Sequence, residues 1–315
     1  MPQSTVSVVI PAYNAEKCLG ETLASVFAQT RPADEILVID DGSQDNTEAV
    51  VKSFGDRVRY IRQSNQGIAG ARNVGIHEAK SEWIALLDHD DLMLPEKLQK
   101  EMAIAEARPE LAVVYSSFDV FYPDGSTKHM PVFPAQGLWP AIRYRTPILP
   151  STAIIRRSAL EEVGGFTNVY CVDDWDLWFR LLRRYTTRAF YGISETLTRY
   201  RQWDNNESKK YEPVARTVLQ LTDDLLLSDL RGVSRWLWKQ RIEARVYFSL
   251  AVSLRSVGDD RYWGYAIRSF VKWPFFGKMI GPYRYVVLAH MLLTRIRGFR
   301  VSYRYWWPKS PLDAG

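Results

Sequence analysis

The sequence predicts an α/β protein: a mostly parallel sheet flanked by helices, followed by a helical C-terminal appendage. Three observations carry this reading. Short runs dominated by apolar residues, Val6-Ser7-Val8-Val9-Ile10, Glu35-Ile36-Leu37-Val38-Ile39 and the continuous Trp83-Ile84-Ala85-Leu86-Leu87, have the length and composition of buried strands. Segments of helical periodicity lie between them, an alternation that implies βαβ units and a parallel sheet. Beyond residue 212 the periodicity is helical throughout, and the composition turns basic and aromatic.

Taken in order, the first strand stops at Pro11 and a helix is expected over 15–29. The second strand runs into Asp40-Asp41-Gly42-Ser43, a turn composition, before a helix over 46–54 and a short strand at 58–61. A third helix is expected over 67–79, ahead of the Trp83 strand, which delivers Asp88-His89-Asp90-Asp91 at its tip. Regularity weakens after about residue 108. Residues 112–122 read as a strand entering the Pro123-Asp124-Gly125 turn, so antiparallel pieces are expected there. Residues 130–150, rich in Pro and aromatics, read as a loop; 176–184 read as an amphipathic helix and 188–200 as a strand. Helices follow near 213–230, 234–256, 259–271 and 283–297. Two domains are expected, 1–211 and 212–315.

The 46% apolar and 24% charged residues are those of an ordinary globular protein. Cys18 and Cys171 form no metal-site or disulfide-framework spacing, which suits a reducing cytoplasm. The N-terminus lacks a signal-peptide pattern, and no run approaches the roughly 18 apolar residues of a spanning helix. The expectation is a cytoplasmic chain, soluble or at the inner face of the membrane. The net charge of +5 hides an asymmetry: from Gly232 onward there are 15 Lys+Arg against 4 Asp+Glu.

The chemistry concentrates at strand ends, where open α/β sheets bind ligands. Asp88 and Asp90 are two apart, so an extended chain points both to one face. Clustered carboxylates suit Mg²⁺ or Mn²⁺, with the remaining positions left to water and phosphate oxygens. The competing reading is a capping turn for the next helix, with Asp91 as N-cap. Tyr13, after the first strand, either lies against a nucleotide base or packs under the first helix. At 40–47 a carboxylate suits a base N–H, with Gly42 permitting close approach, although Ser43 and Asp45 also suit helix capping. The glycines of 65–75 match neither the dinucleotide nor the P-loop spacing. Arg72 there offers a fixed cation, for a base carbonyl, a phosphate or a structural ion pair.

Val9-Ile10-Pro11-Ala12-Tyr13-Asn14, Val38-Ile39-Asp40-Asp41-Gly42-Ser43, Gly70-Ala71-Arg72-Asn73-Val74-Gly75 and Leu87-Asp88-His89-Asp90-Asp91 occur in that order. The ordered set resembles the family 2 glycosyltransferases of the GT-A nucleotide-diphospho-sugar transferase fold, inverting and metal-dependent, over about residues 5–205. The resemblance implies that Asp41 accepts a hydrogen bond from a pyrimidine base, with Pro11, Tyr13 and Arg72 around it and Asn14 supporting the pocket. Asp88 would approach the ribose and help bind the metal, and Asp90 would hold the metal that bridges the diphosphate. Asp173-Asp174-Trp175-Asp176 stands where the family usually has Glu-Asp, so Asp174 inherits the general-base role. Its acids also suit a helix start. Many family members carry a metal-binding His after the last core strand; here 200–206 has none, so either Asp204 or water completes the shell or the metal is held by fewer protein ligands.

The implied function is transfer of a sugar from a UDP- or dTDP-linked donor to a hydroxyl of a saccharide or lipid-linked glycan, in cell-surface polysaccharide synthesis. Two alternatives remain at this level: a sugar nucleotidyltransferase, which would need a Gly-rich basic loop that 11–20 lacks, and a non-catalytic nucleotide- or saccharide-binding subunit. In the tail, Trp236, Trp238, Trp263, Trp273, Trp306 and Trp307 are interleaved with cations. Such a pattern suits an anionic membrane interface, with 285–293 lying in its plane, or a helical appendage using its aromatics as core. Nothing on the catalytic side supports nucleic acid as a partner.

Overall fold

A computed structural model describes residues 3–143, 145–169, 171–203 and 211–274. The chain divides into two compact units, residues 1–209 and 210–315.

The first unit opens with β1 (Val6–Ala12), α1 (Leu19–Phe27), β2 (Glu35–Asp40), α2 (Thr47–Lys52), β3 (Arg59–Arg62), α3 (Gly67–Glu78) and β4 (Trp83–Leu86). There follow β5 (Leu92–Met93), α4 (Lys97–Ala107), β6 (Val113–Phe121), β7 (Thr127–Met130) and α5 (Leu138–Ile142). The unit closes with β8 (Ala153–Arg156), α6 (Arg157–Glu162), α7 (Asp173–Tyr185) and β9 (Phe190–Arg201). One sheet runs β3-β2-β1-β4-β8-β6-β9-β5, with β7 on β6.

The four strands β3-β2-β1-β4 are parallel, as the βαβ alternation requires, and place the ends of β1, β2 and β4 side by side. β8 joins β4 antiparallel, and β6 and β9 run parallel to one another but β6 is antiparallel to β8. The sheet is therefore mixed; its parallel part is the four-stranded half. Pro11 does not end β1: the strand continues to Ala12, paired with Asp40, and Pro11 lies beyond the last residue paired with β4, Val9. A missing N–H is tolerated at that point because that flank of the ladder has ended.

The core packs Val6, Val8 and Ile10 of β1 with Leu19, Leu23 and Val26 of α1, and with Trp83, Ala85 and Leu87. On the other face α3 approaches β1 at Gly75, where a Cβ would lie 2.2 Å from Val9 Cγ1. Only glycine permits that approach, which sets the depth of Arg72 one turn earlier in the same helix.

Two strands escaped the sequence reading. β5 is two residues long, and β8 lies where the pattern carries Ser, Thr and Pro just before a three-residue apolar stretch. The 130–150 segment contains the short helix α5, anchored by buried Leu138, Ala141 and Ile142. α7 begins at Asp173, three residues before the apolar periodicity.

In the second unit, α8 (Tyr211–Leu221) continues into a π-helical turn at Thr222–Leu226, followed by α9 (Gly232–Ser256) and α10 (Tyr262–Lys272). Trp263 and Trp273 are buried, packing with Ala251, Ala266 and Ala244, whereas Trp236 is 58% exposed. The aromatics are thus divided between core and surface. The expected helix at 283–297, its 285–293 stretch, Trp306 and Trp307 lie outside the described residues.

Candidate active site

The site assembles from loops that leave the ends of β1, β2 and β4, joined by the start of α7. After β1, Tyr13 is 44% exposed, so its ring is not packed under α1. Asn14 adopts the left-handed region at φ 49°. Its N–H donates to Ser43 Oγ at 2.9 Å, and its Oδ1 accepts from the Gln44 N–H at 2.8 Å. Asn14 therefore clips the β1 loop to the β2 loop. Pro11 contributes its carbonyl, 3.3 Å from His89 Nδ1.

After β2, the two adjacent aspartates divide their work. Asp40 is buried; it accepts from the Ser43 N–H at 2.7 Å, from Arg62 at 3.3 Å and from the Tyr60 hydroxyl. Asp41 Oδ1 accepts from Gln63 Nε2 and the Gln66 N–H at 2.7 and 2.8 Å, and Oδ2 from the Gly67 N–H at 2.8 Å. A carboxylate at a helix N-terminus satisfies donors that the helix leaves open. With about four lone-pair positions on a carboxylate, three such bonds leave one for a ligand N–H. Gly42 serves this turn: its φ is 82°, and the Asn65 backbone lies 3.2 Å from where a Cβ would stand. The close approach it permits is to the chain itself. Asp45 accepts from the N–H and hydroxyl of Thr47, the capping role also open to it in the sequence.

At the tip of β4, Asp88 Oδ1 pairs with Arg72 at 2.6 Å, while its N–H donates to Ser151 Oγ at 3.1 Å. Asp90 Oδ2 accepts from Trp203 Nε1 at 2.9 Å. Burial holds the Asp90 carboxyl above its usual range, with Asp88 adding to the effect. Asp91 is no helix cap, because α4 starts only at Lys97. It is buried and accepts from the Arg201 N–H at 3.0 Å, and its Oδ2 has no donor among the described residues. Burial raises its carboxyl well above the usual range, and Asp88 and Asp90 push the same way. Such a cluster is a natural seat for a cation.

The carboxylates at this strand end suit a divalent metal. One oxygen of each carboxylate, Asp88 Oδ2 and Asp90 Oδ1, is engaged by no other side chain among the described residues. Two carboxylate oxygens fit Mg²⁺ or Mn²⁺, which keep waters and bind phosphate oxygens. No group of three or more His, Cys, Asp or Glu among the described residues is arranged to hold an ion by itself. In the region after β9 where the resemblance expects a His, Arg201 bonds the Asp90 carbonyl and Trp203 its carboxylate, and Asp204 lies outside the described residues.

Arg72 is held by two carboxylates. Its guanidinium is 3% exposed and spans two carboxylates, Asp88 and Asp173, each at 2.6 Å. It does so 5.0 Å over the Phe166 ring. The structural ion pair that its sequence position also suited is present. The neighbouring Asn73, which sequence reasoning passed over, accepts from the Phe166 N–H at 2.7 Å and donates to its carbonyl at 2.8 Å. Its signal lay in its place beside Arg72, but only the folded chain brings Phe166 across 93 residues.

Asp174, in the first turn of α7, accepts from Thr146 Oγ1 at 3.2 Å and from the Trp175 N–H at 2.7 Å. It keeps some surface open to solvent although protein surrounds most of it. Burial and the adjacent Asp173 raise its carboxyl to about 7, against a smaller opposing pull from Arg72. A carboxylate at that value is suited to proton abstraction near neutral pH.

A family model for glycosyl transferase family 2 matches residues 7–164, half of the chain, covering the strand-end loops just described. The chain belongs to glycosyltransferase family 2. An uncharacterized glycosyltransferase of Rickettsia felis is 31% identical over 190 residues, 56% of this chain. The match covers only 31% of that relative's length. A putative teichuronic acid biosynthesis glycosyltransferase, TuaG of Bacillus subtilis, is 27% identical over 67% of this chain and 85% of its own. Among solved structures, S. aureus TarS 1–349 in complex with UDP-GlcNAc superposes with a TM-score of 0.62 at 16% identity, covering 96% of this chain and 98% of that one. The mannosyltransferase PcManGT from Pyrobaculum calidifontis, in complex with GDP-Man and Mn²⁺, gives 0.58 at 17% identity, covering 96% and 83%. These two likenesses establish the GT-A-like fold of this family 2 chain.

Proposed function

We propose that this family 2 chain is an inverting, metal-dependent glycosyltransferase, with residues 1–211 as its catalytic domain. It moves a sugar from a UDP- or dTDP-linked donor to a hydroxyl of a saccharide or lipid-linked glycan in cell-surface polysaccharide synthesis. The observation that carries the reading is the convergence of Asp41, Asp88 and Asp90 at neighbouring strand ends, with Asp174 tied to them through Asp173 and Arg72. The UDP-GlcNAc complex of TarS supports the class of donor, and the name of TuaG the class of product.

In this reading Asp41 accepts a base N–H through its remaining lone pair, and the exposed Tyr13 ring lies against the base. Pro11 and Asn14 hold the loop in place. Asp88 and Asp90 would hold Mn²⁺ or Mg²⁺, which supplies charge stabilisation for the departing diphosphate. Asp174 takes the acceptor proton as the hydroxyl oxygen attacks the anomeric carbon from the face opposite the diphosphate, so the configuration inverts. Arg72 holds Asp88 and Asp173.

The second unit presents Ile267, Phe270 and Val271 of α10 at 60%, 44% and 73% exposure, in a strongly basic region. That surface supports peripheral contact with anionic lipid, at the inner face of the membrane. No helix among the described residues is long and apolar enough to cross a membrane.

The test is a donor screen with Mn²⁺ or Mg²⁺, wild type beside Asp90→Ala. Release of nucleoside diphosphate from one donor, lost in the variant, is expected. Release of inorganic diphosphate would instead mark a nucleotidyltransferase, and metal-dependent binding with no turnover of any donor–acceptor pair a binding subunit.

A further inference from the structure

Resting on the transferase reading, we propose that Arg72 is a positioning residue whose two arms hold the helix carrying Asp174 in register with the donor carboxylates. The argument begins with where its partners come from. Asp88 lies 16 residues away in sequence and Asp173 lies 101 away, and one guanidinium joins them at 2.6 Å each. Asp88 closes β4 and Asp173 opens α7, so the pairs link the donor side to the acceptor side.

The root of this link is rigid. α3 is pressed onto β1 at Gly75, so the backbone of Arg72 has a fixed depth. The Phe166 ring supports the guanidinium face, and Asn73 clamps both the N–H and the carbonyl of Phe166. Gly165, at φ 67°, has no room for a Cβ, which would lie 2.5 Å from Asn73 Oδ1. The segment leading into α7 is therefore seated on α3 by Arg72 and Asn73 together.

The chemistry also requires Arg at this point. A planar fork can send two N–H groups to two carboxylates at once, whereas an ammonium on a shorter stem is a single point charge. Its Nε–H is buried without an acceptor among the described residues. A buried donor left open is costly, so the side chain's position is set by the span between Asp88 and Asp173. Because Asp174 follows Asp173 directly, the Arg72–Asp173 arm fixes the direction in which Asp174 leaves the helix start. Among the described residues Asp174 makes one bond to another side chain, that of Thr146. A displacement of about 1 Å at a reacting group is enough to cost about a hundredfold in rate.

The test separates the two arms. Asp173→Ala removes the acceptor-side arm and leaves the Arg72–Asp88 pair. Transfer is measured above pH 8, where Asp174 is ionised and changes in its acidity drop out. The expected result is a kcat lowered at least about tenfold, with the donor KM within about threefold of wild type. Arg72→Lys keeps the cation and loses the fork, and should lower kcat similarly. In the double variant kcat should fall no further than in the worse single, because both break one link. Asp173→Asn, which keeps shape and an acceptor oxygen, should lose less than the alanine and serves if the alanine variant does not fold. Unchanged kcat in the folded Asp173 variants, or losses that multiply in the double variant, would overturn the proposal. A loss seen only in donor KM would also overturn it, assigning Arg72 to the donor alone. A wild-type chain that turns over no donor would instead remove the transferase reading on which the proposal stands.

Discussion

Asp174→Asn gives the sharpest test of the catalytic assignment, because it changes one oxygen to NH₂ and leaves the shape of the side chain. Burial and the charge of Asp173 lift the Asp174 carboxyl to about 7. A general base works in its deprotonated form, so the rate should rise with pH through that value. From the titration curve, about half of the molecules are active at pH 7, about a tenth at pH 6 and about nine-tenths at pH 8. The wild-type kcat should therefore lose about tenfold per unit below pH 6. Asparagine cannot accept the proton, and its kcat should lie about 10²–10⁴ below the plateau. Its residual rate should also be flat where the wild type bends. The assay is initial-rate release of nucleoside diphosphate with saturating donor and acceptor from pH 5 to 9, with thermal denaturation confirming that both proteins are folded. A variant that keeps the wild-type limb, or more than about a tenth of the plateau rate, would refute Asp174 as the base.

Three further outcomes follow from the contacts. Asp90→Ala should abolish stimulation by Mn²⁺ or Mg²⁺ and lower the rate at least about tenfold, and chelation of the metal should do the same to the wild type. Retained metal stimulation in the variant would remove Asp90 from the metal site. Lys97 and Glu101 are fully buried and paired at 2.6 Å, so Lys97→Met should strand the carboxylate and cost about 3–5 kcal/mol in urea unfolding. Lys97→Met combined with Glu101→Leu should recover most of that loss; a double variant as unstable as the single would show that the charge is not the cause. Gly75→Ala puts a methyl group 2.2 Å from Val9 Cγ1 and should cost about 1–3 kcal/mol by overpacking, read from the same unfolding curves.

Several features were legible because they depend on neighbours in the chain. Strand runs such as Val6–Ile10 and Glu35–Ile39, the helices between them and the acidic tip after Trp83–Leu87 follow from local periodicity and composition. The ordered motifs were enough to point to family 2. β8 was illegible because a four-residue strand between β4 and β6 has no period of its own; it exists because two strands flank it.

What sequence alone determined is the parallel half of the sheet, the chemistry of its strand-end carboxylates and the family. These rest on side-chain type and spacing within a few residues, which chain connectivity preserves. Tertiary structure decided the partners. Asp41 is a carboxylate in any reading, but only the fold brings the Gln66 and Gly67 N–H groups onto it. Arg72 offers a cation from its sequence position, yet its commitment to Asp88 and Asp173 depends on a helix start 101 residues away. Trp203 meets Asp90 across 113 residues. Asp174 has the acidity of any aspartate until burial and the neighbouring Asp173 weaken it. Hydrogen bonds and desolvation act through space, and the distances that govern them exist only once the chain has closed on itself.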